Sequence, residues 1–458
     1  MSRVALVAPA SRLRATLVVL ADCGTVQLVG PLPAAHGEAV EALRRLERAT
    51  SAVPAAAPAI SEQAPEIEEL ERRGGSELLA GEVELARRAG AAVRRGRFAA
   101  LVAWVPADAL PVLTERLAGV GAAVVELPRP ALVEPPTLLR SGRLSKRFRP
   151  LVDTYGATRY ADVDPTPFAA ASFVLMFGMM FGDVGHGLLL AAFGLYLRTT
   201  KAARLQGLRP LWAFPFAGGL SAAAFGLLYG EAFGPTGLVP ALWVSPLDDY
   251  LQLLPAAVGV GALLLSVGYA FGILNRWREG GVRAALLAPS GIAGFATFAG
   301  GGLIALAIYF GISPLAIAGV VVAGGGMALL LAGFTAEAGL SPAGITQALV
   351  ELLDAVVRIA ANVVSFVRLA AFGLMHAALS SIVLAGATAL WGLGPLGALG
   401  AVIVFVVGSA AAFALEALVA VIQAMRLEYY ELFSRVYAGE GQPFRPWRIP
   451  VVRKDQLA

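Results

Sequence analysis

Between residues 168 and 430 the chain carries apolar runs too long and too numerous for a water-soluble core. They occupy 168–197, 211–230, 251–275, 284–311, 314–334, 346–390 and 396–430, and most reach or exceed the ~20 residues that carry a helix across a bilayer. In lipid every backbone N–H and C=O must find its partner inside the protein, and segments of this length do so as helices. The composition agrees, with 57% hydrophobic and 15% charged residues. Charge is concentrated in residues 1–165, whereas from Thr166 to Tyr430 it is sparse and falls mostly between apolar runs. The expected fold class is therefore a mainly α-helical polytopic membrane protein with a small N-terminal α/β cytoplasmic lobe.

The loops orient the helices. RTTKAARLQGLR after the first run is basic, the stretch Glu231–Asp249 has acidic residues and no Lys or Arg, and NRWREGGVR is basic again. By the positive-inside rule the first and third of these loops are cytoplasmic and the second external. The tail, with Arg435, Arg445, Arg448, Arg453 and Lys454, is then cytoplasmic, and a cytoplasmic N-terminus requires the first run to go in and return. Its interruption FGDVGHG, with glycines at 182, 185 and 187 around Asp183 and His186, is the natural turning point. About eight membrane helices follow, the first two short. The roughly 45 residues from Thr346 to Leu390 would extend about 67 Å, more than twice a ~30 Å hydrocarbon core, so this run must tilt steeply or break. The run 396–430, continuing into Leu427–Phe433, meets the same constraint.

Outside the membrane domain (166–435), residues 1–135 read as one lobe, 136–165 as a basic connector and 436–458 as a tail. In the lobe, Val4–Val7, Leu13–Asp22 and Val26–Val29 form a strand, helix and strand, and residues 99–105, 107–120 and 122–127 repeat that order. Helical patterns cover 38–48 and 77–95, and a Pro/Ala/Ser-rich linker lies near 50–66. The start MSRVALVAPASRLRATLVVL is broken by Arg12 and Arg14 before it reaches the length of a signal sequence. That lack of a targeting peptide, with a compact loop-poor chain, points to a prokaryotic plasma membrane. The single Cys23 excludes an intrachain disulfide and a cysteine metal cluster, and reads as a small buried hydrophobe. A net charge of +4, with Arg residues flanking apolar runs, is a membrane-anchor pattern and not a nucleic-acid footprint.

Arg368 is the residue that demands an account. It stands ten residues from Arg358, about 15 Å along a helix, and twenty-two from the far end of its run, beyond easy snorkelling. An arginine at a membrane centre costs about 2.5–3.5 kcal/mol on insertion scales, so it faces protein or water. Either it pairs with Glu416 to hold the last two runs together, or it is a fixed charge on a functional path. Ser365, Arg368, Phe372 and His376 step by three, four and four and share one stripe within about 80°. His376 on that stripe is a packing hydrogen-bonder or a proton relay. On the last run Glu416 and Gln423 are seven apart and nearly aligned, with Arg426 about 80° round. Polar stripes on two neighbouring helices can line a hydrated path. Asp183 and His186 either bind the hairpin turn or take part in transport. Glu337, Glu351, Asp354 and Arg358 near the inner end of their runs, and Glu231 at the outer end of the second, suit a wet entrance or ordinary interfacial solvation.

No Gly-Lys dipeptide, HExxH or GxSxG occurs, and the three His are at 36, 186 and 376. GLGPLG at 392–397 matches GxGxxG but joins two apolar runs, so it reads as a turn. No nucleotide site, catalytic centre, cofactor or metal site of the chain's own is expected.

SFVRLAAFGLMHAALS, with Arg368 and His376 eight apart, and LEALVAVIQAMRLEYYELFSRVYAGEGQPFRPW, with Glu416 and Arg426 ten apart, resemble the last two helices of the membrane stator subunit of V-type and A-type ATPases. This is subunit a, also called subunit I or the 116 kDa subunit. YADVDPTPFAAASFVLMFGMMFGDVGHG resembles the same family's approach to its first membrane helix, FGLLYGEAFG is also similar, and the likeness covers Arg149 to Trp447. The resemblance implies two steeply tilted helices held against a rotating proteolipid ring that bears membrane carboxylates. Arg368 matches the family's essential arginine, Arg426 the second arginine, and Glu416 and His376 the polar partners lining two half-channels. Ser365, Gln423, Asp183, His186, Glu351, Asp354 and Glu231 are further polar candidates. The implied function is ion-translocating, carrying protons or Na⁺, in a complex whose soluble V1/A1 sector attaches through a peripheral stalk. Where some family members carry a His in the final helix this chain has Gln423, and the soluble part is short, with the Pro/Ala-rich region standing where the family has a long coiled-coil arm. Two other readings remain open: a stand-alone ion-coupled carrier, which needs inverted repeats that are not evident here, and a non-conducting assembly protein of the same fold.

Overall fold

A computed structural model of the chain describes residues 1–49, 57–128, 133–139, 142, 145–156, 158–160, 162–434 and 441–452. Part of the expected linker, 50–56, and the tail charges Arg435, Arg453 and Lys454 lie outside the described residues. The chain divides into two compact units, Met1–Leu138 with Gly441–Ala458, and Leu139–Glu440.

The first unit contains β1 (Ser2–Pro9), α1 (Leu13–Cys23), β2 (Gln27–Leu28), α2 (Glu38–Ala49), β3 (Ile60–Ser61), α3 (Ile67–Arg72), α4 (Ser76–Gly90), β4 (Val93–Arg95), β5 (Phe98–Val105), α5 (Leu110–Ala118), β6 (Ala123–Glu126) and β7 (Val451–Val452). The main sheet runs β2-β5-β1-β6, with β4 added to β5. Every pairing in it is antiparallel, with Ser2 opposite Val105 and Val4 opposite Glu126. The two strand-helix-strand units read from the sequence therefore interleave: β5 lies between β1 and β2, and β1 between β5 and β6. Period-two burial of Val4, Leu6 and Ala8 on β1 and of Ala99, Leu101 and Ala103 on β5 turns one face onto Leu17 and Leu20 of α1. The segment 441–452 belongs to this unit: β7 pairs in parallel with β3, and Trp447 and Ile449 join the same core.

The second unit is helical: α6 (Arg149–Tyr155), α7 (Thr166–Met180), α8 (Val184–Thr199), α9 (Ala213–Tyr229), α10 (Tyr250–Leu287), α11 (Ile292–Phe310), α12 (Ser313–Ala338), α13 (Pro342–Ser365), α14 (Val367–Trp391) and α15 (Pro395–Arg426). A π-helical turn, Leu427–Phe433, extends α15. Among the described residues, six segments are long and apolar enough to cross a membrane: 209–229, 250–287, 292–310, 313–338, 342–391 and 395–433. The chain is a membrane protein. Helices α7 and α8, 15 and 16 residues long, are the two halves of the first apolar run, reversed at Phe181–Asp183. Helices α8 and α9 touch backbone to backbone: a Cβ at Gly187 would sit 2.5 Å from the Ala223 amide, and one at Gly219 2.5 Å from that of Ala191.

The expected connection at NRWREGGVR is a sharp kink, which divides Tyr250–Leu287 (α10) into two helical pieces. The helix is interrupted inside that stretch only at Gly280 and Gly281, the latter at φ 68°, a conformation open to glycine. The polar residues on either side keep helical geometry, and the chain changes direction at the two glycines. The over-long run 346–390 is interrupted at one residue: α13 ends at Ser365 and α14 starts at Val367, while Phe366 between them stays near helical geometry at φ −74° and ψ −13°. The ring of Phe366, fully buried, fills the notch left by Gly261 of α10, where a Cβ would lie 2.2 Å from Phe366 Cγ. GLGPLG is the α14–α15 turn, with Gly394 at φ 86°.

The segment before α7 is clamped to the end of α10. Arg159 pairs with Glu279 at 3.2 Å, Arg276 pairs with the same carboxylate at 2.8 Å, and the Val163 amide donates to Asn275 Oδ1 at 3.1 Å. Asp162 sits in this clamp, and burial, then the nearby Glu279 carboxylate, pushes its carboxyl from 3.8 up to about 6. A raised acid favours the folded state while neutral, so its contribution is full below the ordinary carboxylate range and is lost as pH rises through about 6. Asp162→Asn keeps a neutral side chain at every pH. In thermal melts of the chain in nanodiscs, the variant is expected to gain Tm over the wild type as pH is raised from about 4 to about 8; parallel pH profiles would refute this account.

Candidate functional site

The turn between α7 and α8 is built by Asp183. Its Oδ1 caps α8 by accepting from the His186 amide at 2.7 Å, and its Oδ2 accepts from the Gly234 amide at 2.7 Å. Gly234 is presented by a loop that leaves α9 through Gly230 at φ 75°, and whose Phe233 holds φ 53°, rare for an aromatic residue. The Phe233 ring lies edge-on to His186 at 5.2 Å between centroids. Glu231 in the same loop accepts the Val184 amide on its backbone oxygen at 2.9 Å, which leaves its carboxylate to point elsewhere.

Two further helices bring His376 on α14 and Glu416 on α15 to this turn. His376 Nδ1 is 2.5 Å from Glu416 Oε2, while its Nε2 faces Asp183 Oδ2 at 3.7 Å and Glu231 Oε2 at 3.8 Å. His186 Nδ1 is 3.6 Å from Asp183 Oδ1, and the two imidazole rings are 5.8 Å apart. All five residues are buried, with relative exposures from 0 to 4%. Phe181 and Phe413 wall the group at 5.2 and 5.5 Å from its rings. Three carboxylates and two imidazoles in hydrocarbon can keep only a small net charge, so the group must hold protons or another cation. Both ring nitrogens of His186, Nε2 of His376, Oε2 of Glu231 and Oε1 of Glu416 have no hydrogen-bond partner among the described residues.

A second polar group surrounds Arg368. Eight residues, about 12 Å of helix, separate it from His376. Its Nη1 is buried without a hydrogen-bond partner among the described residues, and it closes no salt bridge with a described carboxylate. Glu431 and Arg426 are near enough to act on its charge, and Glu431 also lies against Ser365. Gln423 Oε1 is buried and unpartnered among the described residues. Glu428, with no exposed surface, has its two oxygens 2.9 and 2.7 Å from the Ser172 hydroxyl of α7.

The expected residues thus fall into two groups and a remainder. Asp183, His186, Glu231, His376 and Glu416 meet in the first group; Ser365, Arg368 and Arg426 meet in the second. The simple pairing of Arg368 with Glu416 is not formed, because Glu416 is taken by His376. Glu351 accepts from Gln347 at 2.9 Å, and Asp354 pairs with Arg358, all within α13, so neither joins the clusters. Sequence reasoning missed Glu428 and Glu431. Two glutamates three apart directly after Arg426 were a signal, but the π-helical turn shifts both inward, off the 3.6-residue stripe used to read α15.

Residues 93–220 match the model of the V-type ATPase 116kDa subunit family. The chain is 27% identical over 419 residues to an A-type ATP synthase subunit I of Pyrococcus horikoshii, covering 85% of this chain and 61% of that protein. It is 27% identical over 375 residues to the A-type ATP synthase subunit I of Pyrococcus abyssi, covering 76% and 53%. A shorter stretch of 157 residues is 35% identical to the human V-type proton ATPase 116 kDa subunit a 3, covering 31% and 19%. The chain thus spans between about half and three-fifths of the length of these two Pyrococcus proteins. The chain is thus similar to the V-type ATPase 116kDa subunit family over residues 93–220, and to subunit I of A-type ATP synthases over most of its length.

Proposed function

We propose that this chain is the membrane stator of a rotary ATPase, conducting protons through two half-channels to and from the carboxylates of a rotating proteolipid ring. The observation that carries the reading is Arg368: a guanidinium within a membrane helix whose Nη1 has no partner among the described residues and which closes no salt bridge with a described carboxylate. A charge that costs several kcal/mol in lipid calls for a counter-charge or water, and a ring carboxylate arriving at the helix surface supplies one. A cation within about 4–6 Å lowers a carboxylate's pKa by ~1–3 units, which favours release of the ring proton. Guanidinium does not deprotonate, so it remains a fixed barrier between the half-channels while protons pass on either side.

The two polar groups fit the two half-channels. The Asp183/His186/Glu231/His376/Glu416 group has the donors and acceptors for one, and the Ser365/Glu431 group, beside Arg368 and Arg426, for the other. The exposed apolar side chains of α15, among them Leu415, Leu418 and Ile422, suit a ring face and lipid. Partners of this reading are the proteolipid ring, the bilayer and, through a peripheral stalk, the soluble ATPase sector; both termini are cytoplasmic in a prokaryotic plasma membrane.

In inverted vesicles carrying the assembled complex, Arg368→Ala is expected to abolish ATP-driven acidification without loss of assembly, and Arg368→Lys to leave at most about a hundredth of it, since an ammonium can lose its proton in a dry site. Equal pumping by wild type and Arg368→Ala would end the proposal. Glu416→Gln and His376→Gln are expected to slow pumping by about tenfold or more while leaving a residual rate, because relay groups contribute about 10²–10⁴-fold and water can replace part of that. Wild-type rates in both variants would remove this cluster from the path.

A further inference from the structure

The buried group at the α7–α8 turn has the form of a metal-ion site. We propose that Asp183, His186 and His376 bind a divalent transition-metal ion, with Zn²⁺ the best match, and that the bound ion closes the path through this cluster. The inference rests on reading the cluster as part of a hydrated half-channel, through which the ion arrives.

One ligand atom from each of these three residues lies within 4.8 Å of the other two. His376 Nε2 to Asp183 Oδ2 is 3.7 Å, close to the roughly 3.3 Å that separates ligands around a tetrahedral zinc at about 2.0–2.1 Å. A contraction of a few tenths of an ångström there, and a larger swing of His186, closes the triad. Glu231 Oε2, 3.8 Å from the same His376 nitrogen, is available as a fourth ligand. Two imidazoles with carboxylate oxygen are a donor set for zinc, whereas Mg²⁺ and Ca²⁺ take oxygen.

Two further observations point to a cation. The unpartnered atoms are the ligating ones: both His186 ring nitrogens, His376 Nε2 and Glu231 Oε2, on side chains no more than 3% exposed. The outer contacts are those of a metal centre: His376 directs its other nitrogen to Glu416 at 2.5 Å, the carboxylate–imidazole arrangement that orients metal-bound histidines, and Asp183 is pinned by the Gly234 and His186 amides. Three carboxylates buried with two neutral imidazoles gain a divalent counter-charge when the ion binds.

The test is Zn²⁺ titrated into the purified full chain in lipid nanodiscs, followed by isothermal calorimetry and by zinc K-edge absorption of the loaded wild type. One ion per chain is expected, with two imidazole nitrogens and carboxylate oxygen at about 2.0–2.2 Å. His186→Gln and His376→Gln are expected to abolish binding, and Glu416→Gln to weaken it by about tenfold or more. The absorption spectrum needs no variant, so it decides the matter even if one misfolds. No binding by the wild type, sulfur from Cys23 or an all-oxygen shell in the spectrum, or wild-type affinity in both histidine variants would each overturn the proposal. Such a failure leaves acidification by zinc-free vesicles intact, whereas failure of the Arg368 experiment leaves zinc binding to be measured on its own.

Discussion

The cost of holding charge in hydrocarbon organises the whole membrane unit. An ionised side chain there must be matched, solvated or neutralised, and several buried ionisable residues of this chain show how that demand is met. Asp183 is satisfied by two backbone amides, Glu428 by the Ser172 hydroxyl, and Glu416 by His376. Arg368 differs, since its counter-charge is not closed within the described chain. Under the proposed function that incompleteness is the point: the missing partner belongs to a rotor and arrives only in turn.

The helices exist to hold these groups at fixed places. The α7–α8 reversal is made by an aspartate cap and is sealed by Gly187, Gly219 and Gly226, which let α9 approach within backbone contact. The interruption at Phe366 sits two residues before Arg368, and its buried ring, fitted over Gly261, fixes where α14 begins. Packing that is rigid on this scale can keep two polar groups about 12 Å apart along one helix without merging them.

Much of this was legible in the residues. Run lengths disclosed the membrane unit, FGDVGHG disclosed the reversal, and the strand periodicity of residues 1–127 disclosed the lobe, although not that its two halves interleave, since strand order depends on contacts far apart in sequence. Glu416, His376, Asp183 and Glu231 were each visible as charges in apolar surroundings; that they converge was not, because they come from four separate segments. NRWREGGVR disclosed a break between helices, but not that the break is confined to Gly280 and Gly281, because a polar, glycine-containing stretch reads equally as a loop and as a helix end. Glu428 and Glu431 were hidden by a π-helical turn, whose changed period no 3.6-residue pattern reports.

The membrane unit is the centre of the account. Its central claim is that Arg368 is completed by a carboxylate from another subunit. Cryo-electron microscopy of the chain in its assembled membrane complex tests this directly. The account predicts a ring carboxylate within about 4–6 Å of the Arg368 guanidinium in at least one rotary state. An Arg368 that faces lipid, or closes on Glu431 with ring carboxylates beyond ion-pair reach in every state, would contradict it.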